Sequence, residues 1–171
     1  MVSYAILKRI QGDKMKKIIS LSIIMFLLFL TGCSKIDLPI MNKKKPYNFY
    51  YTNELAKNIH DEPIYSCTIL DTNLYKEKAL SQKELPVLSS FFKELKKSSF
   101  MNSKPAVQAK PEYRMFITFK NAKFVVNVYN SRYISIFPWD GDYKEDYIDM
   151  NNISAAFNLY NLCRFKILSH E

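Results

Sequence analysis

The chain has 171 residues and a net charge of +9, room for one domain with short appendages and little more. Residues 1–32 hold five basic residues and one acidic one, so the remainder carries +5; this mild basicity suits an anionic envelope surface rather than nucleic acid. Glycine occurs only at 12, 32 and 141, which excludes a glycine-rich phosphate loop.

The N-terminal part sets the compartment. Lys16-Lys17 precede a 13-residue apolar run, Ile18 to Leu30, which ends in Thr31-Gly32-Cys33. The run is short for a membrane span, which needs about 20 residues, and has the layout of a secretory signal. Met15 is its natural start, so residues 1–14 are expected to be an extension upstream of the true initiation site. Leu30-Thr31-Gly32-Cys33 resembles the lipobox of bacterial lipoproteins: an aliphatic residue, a small one, Gly or Ala, then Cys. The resemblance implies a signal peptide over 15–32 and a Cys33 that receives a diacylglyceryl thioether. The mature protein would then sit on the extracytoplasmic face of the cell membrane.

Residues 33–62 read as the lipidated cysteine and a flexible tether. Lys43-Lys44-Lys45-Pro46 breaks any period, and the 29 residues after Cys33 would span about 30 Å. The aromatic cluster Tyr47, Phe49, Tyr50 and Tyr51 is unusual for a free linker; it is expected to pack on the domain, with the lipid interface as the other option.

A single domain is expected over 63–171. Ile64 to Leu70 alternates and reads as a strand. Ser81-Gln82-Lys83-Glu84 has capping-box spacing, and Leu85, Leu88, Phe92 and Leu95 follow helical spacing to about 97–99. Pro86 is tolerable only in the first turn, which moves the helix start to 85–86. Three strands follow, 113–120, 124–129 and 132–137, joined by tight polar turns as a meander. A last helix is expected from about Asn152 to Phe165. The order β-α-β-β-β-α predicts an α+β two-layer sandwich, a mostly antiparallel four-stranded sheet with two helices on one face. Cys67 on the first strand and Cys163 on the last helix could then meet. In a non-cytosolic compartment they could form a disulfide, or remain two buried thiols.

No catalytic set emerges. His60 falls in the expected tether and His170 beside the C-terminus, so neither sits next to a nucleophile. No zinc-ligand spacing occurs, and no metal or cofactor is implied. Residues 138–149 hold five acids and the only tryptophan. A calcium loop would place Asp at 1, 3 and 5 with Gly at 6; counting from Asp140, Gly141 falls at two and Lys144 at five. The segment is expected to be a solvated turn, or an adhesive loop through Trp139, Asp140 and Asp142. Between Lys93 and Arg132, nine basic residues face two acids. Arg114 and Lys120, with Phe116 between them, are expected on the sheet face opposite Met115, a candidate interaction surface.

Abundant Lys, Asn, Ile, Tyr and Phe have AT-rich codons and hint at a low-GC bacterium. The chain resembles the small uncharacterised lipoproteins of low-GC Gram-positive bacteria, with lipobox, lysine-rich tether and one compact domain. The function expected is a non-enzymatic binding module anchored through Cys33, possible as an immunity or inhibitor lipoprotein, with an envelope protein or anionic cell-wall polymer as partner. The alternative is a small-ligand carrier or envelope hydrolase built on the acids of 140–149.

Overall fold

A computed structural model describes residues 44–169. The readings on the signal segment, on Cys33 and on His170 lie outside these residues. Strands β1 (Ser66–Asp71), β2 (Lys76–Ala79), β3 (Phe100–Met101), β4 (Tyr113–Thr118), β5 (Lys123–Val128), β6 (Tyr133–Pro138) and β7 (Asp146–Asp149) form one sheet. Helices α1 (Tyr50–Asp61), α2 (Pro86–Glu94) and α3 (Leu159–Leu168) complete the fold.

The sheet runs β2-β1-β4-β5-β6-β7-β3, and every adjacent pair is antiparallel. Because side chains alternate along a strand, each register row falls on one face. Ile69, Met115, Val126, Ile136 and Asp146 form one such row across five strands. Tyr113, Val128, Ile134 and Ile148 form the next. These side chains make one core with Leu55 of α1, Leu88 and Phe91 of α2, and Leu159, Cys163 and Ile167 of α3. All three helices therefore cover the same face. The α+β class stands, with seven strands and three α-helices among the described residues in place of four and two.

The differences have physical reasons. The residues expected as tether up to 62 are folded from α1 onward: Tyr51, Thr52 and Leu55 are buried, and α1 packs on β6 and β7. The aromatic cluster packs on the domain, with the Phe49 ring 5.2 Å from Phe100 and Tyr50 5.5 Å from Tyr143. Glu84 Oε2 accepts both the N–H and the hydroxyl of Ser81, but these bonds close a turn ahead of α2, and Pro86 takes the first helical position. The last helix starts at Leu159, not 152, because Asn158 caps it by accepting the Tyr160 N–H at 3.0 Å. Residues 146–149, expected in the acidic turn, are strand β7. Of the two options for Cys67 and Cys163, the structure holds both as buried free thiols.

Candidate functional site

Among the described residues no helix packs on the other sheet face, and this face is the candidate site. Its central row opposes Arg114, Asn127, Ser135 and Tyr147 across four strands. The Arg114 Nε–H donates to Asn127 Oδ1 at 3.0 Å. Asn127 Nδ2 donates to Ser135 Oγ at 3.3 Å and reaches Glu145 Oε2 at 3.5 Å. The Ser135 hydroxyl donates to the same carboxylate oxygen, and the Tyr129 hydroxyl lies 3.5 Å from Ser135 Oγ. Burial, and then the Glu145 charge, push the Tyr147 phenol up to about 12. Asn127 and Ser135 are buried, so this network is paired within itself and fixes the pose of the Arg114 guanidinium, as buried polar groups require.

One row along, Phe116, Val125 and Phe137 oppose one another. Phe116 meets Trp139 at 6.4 Å between ring centroids. The Lys123 ammonium stands 4.7 Å from the Trp139 centroid and 5.3 Å from that of Phe116, a cation held over two π faces. Trp139 is 66% exposed, and its backbone N–H donates to the Lys123 carbonyl at 2.8 Å. Lys120, Lys123, Trp139 and Asp140 line a shallow groove of about 410 Å³ at this end. Lys104, in the connection from β3 to β4, sits 5.8 Å over the Tyr129 ring.

Arg114 and Phe116 thus share the helix-free face, as their parity with Met115 predicts. Lys120 is exposed in the β4–β5 turn and joins Trp139 and Asp140 at the rim. Asp142 does not join them: it lies near the Tyr51 hydroxyl, against α1. There Tyr143 donates its N–H to that hydroxyl at 2.6 Å, and a Cβ on Gly141 would stand 2.7 Å from the same oxygen. Only glycine fits this approach.

The five acids of 138–149 do not converge. Asp140 lines the rim groove, Asp142 is near Tyr51, and Glu145 enters the polar row. Asp146 is buried under α1, where Lys45 Nζ donates to it at 2.5 Å. Asp149 pairs with Arg132. Burial pushes the Asp146 carboxyl up, against the hydrogen bonds from Lys45 and Thr52 that favour its charge. Among the described residues no three His, Cys, Asp or Glu side chains form a metal-holding group. His60, in the last turn of α1, lines a separate groove with Phe92 and Lys93.

Asn127, Ser135 and Tyr147 were not legible as site residues, while Glu145 and Lys123 were legible only as members of the acidic 140–149 loop and of the basic run. The available signal was register: small polar residues at alternate positions within the apolar strands β5 and β6, directly opposite Arg114.

A domain family described as a domain of unknown function (DUF4883) matches residues 45–163. The chain belongs to the DUF4883 family. The match begins at Lys45, where the clasp onto Asp146 begins, so α1 lies within the family domain. The fold is similar to a crystal structure described as that of a putative lipoprotein from Clostridium perfringens. The two share 29% identity over 73% of this chain and 99% of that one, with a TM-score of 0.66. No curated protein matches the chain.

Proposed function

We propose that this protein is a lipid-anchored extracytoplasmic binding module that engages an envelope protein through its helix-free sheet face, as an immunity or inhibitor lipoprotein would. The anchor is supported by the Leu30-Thr31-Gly32-Cys33 lipobox pattern and by the likeness to a clostridial protein described as a lipoprotein. The observation that carries the binding role is the face itself. A preset Arg114, the Phe116–Lys123–Trp139 stack and a polar network lie together where no helix of the described residues covers them. Arginine and tryptophan are the side chains most often found to dominate interface energetics. The Glu145–Ser135–Asn127 network pairs its polar groups internally and supports Arg114.

The test is capture from a native envelope fraction on the immobilised Ser34–Glu171 polypeptide, washed across a salt series. A discrete protein retained at physiological salt is expected, its affinity falling about tenfold in R114A or W139A. Indifference to changes at Arg114, Trp139 and Asp140 would overturn the site. Retention only of anionic polymer, lost as salt rises, would reduce the basic bias to surface electrostatics.

A further inference from the structure

We infer that the outer face of α3 and the β1–β2 turn seat on an anionic lipid bilayer, placing the helix layer toward the membrane and the open sheet face away from it. The orientation rests on the lipid-anchored reading; the docking surface rests on its own residues.

Helix α3 buries Leu159, Cys163 and Ile167. Its outward stripe, Asn161, Arg164, Phe165 and Leu168, has i, i+3, i+4, i+7 spacing and lines one shallow groove. Phe165 is 70% exposed and Leu168 61%. In the β1–β2 turn, Leu74 is 69% exposed and Tyr75 78%. Asp71 Oδ1 holds this turn by accepting the N–H groups of Asn73 and Leu74, and Tyr75 adopts φ 53°. The Lys76 ammonium donates to the Ile167 carbonyl at 2.8 Å, which joins the turn to the last turn of α3. Four large apolar side chains therefore stand in water at one corner of the domain.

Single exposed apolar residues are ordinary on protein surfaces. A corner of Phe, Leu and Tyr rimmed by cations has the composition of an interfacial membrane contact. The cations are Arg164 in the stripe and Lys110, whose ammonium lies 5.2 Å from the Tyr75 ring centroid. They match the negative surface of anionic lipid.

The chain enters the domain on the helix side, since Lys45 binds Asp146, whose side chain lies on the helix-covered face. The eleven residues between Cys33 and Lys45 reach at most about 40 Å. That exceeds the roughly 29 Å from one sheet edge to the other, so an anchor entering near β7 permits contact at the β2 corner.

Flotation of the Ser34–Glu171 polypeptide with phosphatidylcholine vesicles, with and without phosphatidylglycerol, tests the docking. Binding is expected only with phosphatidylglycerol, and the F165S/L168S double variant should weaken it about tenfold or more while its melting temperature stays unchanged. Trp139, on the opposite face, should keep its fluorescence spectrum on binding. No flotation, flotation indifferent to F165S/L168S, or a blue shift at Trp139 would each overturn the proposal. Labelled fatty acid incorporation at Cys33 tests the anchor separately: its absence overturns the anchoring and the orientation, while phosphatidylglycerol-dependent flotation still supports the docking surface.

Discussion

Asp146 Oδ2 accepts both the backbone N–H of Thr52 at 2.7 Å and its hydroxyl at 2.8 Å, so a strand residue caps the first turn of α1. The helix has no side-chain cap of its own, and four N–H groups of any helix start need partners from elsewhere. Lys45 completes the clasp by donating to the carbonyls of Lys144 and Glu145 at 2.8 and 3.1 Å and to Asp146 Oδ1 at 2.5 Å.

Replacing Asp146 with alanine is therefore expected to cost about 3 kcal/mol, because it removes the counter-charge of a partly buried ammonium and the acceptor of both Thr52 donors. Urea unfolding followed by circular dichroism measures it. A loss below about 1 kcal/mol would mean the clasp is not coupled to folding.

The boundary of the folded unit makes a second expectation. A polypeptide starting at Pro63 lacks α1, exposes the contacts of the fully buried Leu55 and leaves Asp146 without Lys45 or Thr52. The combined loss of about 5 kcal/mol or more is comparable with the whole stability of many domains. Such a fragment should show no cooperative melt, whereas one starting at Lys44 should.

Burial pushes the Cys67 thiol up to about 12 and raises that of Cys163 as well. Thiolate is the reactive form, so neither cysteine should react with iodoacetamide at neutral pH in the folded protein, and both should react in urea without reductant. Failure to label in urea would mean that the pair is bonded.

Arg132 donates to Asp149 from Nε at 3.1 and 3.0 Å and from Nη2 at 2.8 Å. These bonds hold the Asp149 carboxyl below the usual aspartate range. A depressed acid contributes stability that is complete above its unfolded value of about 3.9 and is lost as pH falls through the folded value. The pair is substantially exposed, so R132Q should destabilise the fold only slightly at neutral pH. Its unfolding curve should converge with that of the wild type on acidification; a constant difference across pH would rule out the pair as its origin.

Strands β1, β4, β5 and β6 were legible because half their residues alternate into an apolar core, Met115 and Ile117 against Arg114 and Phe116 being the clearest case. Strand β2, Lys-Glu-Lys-Ala, has no apolar alternation to read, and β3 is two residues long. Strand β7 hides in an acidic run because its inward residues are Asp146 and Ile148, a buried charge beside an apolar side chain. Helix α1 resembled linker for a related reason: its cap comes from Asp146, distant in sequence, so no local start signal marks it. The site was half legible. Parity placed Arg114 and Phe116 on the open face, but the polar row needed the pairing of four strands, which one sequence does not specify.

The two rims of the sheet bear on a hazard of crowding. An unpaired strand edge is a template for pairing with a second chain. Here one edge is Lys76-Glu77-Lys78-Ala79, where charge opposes apposition, and the other is the two-residue β3, too brief to seed a ladder. Copies packed at high density would thus lack an adhesive margin for stacking into fibres.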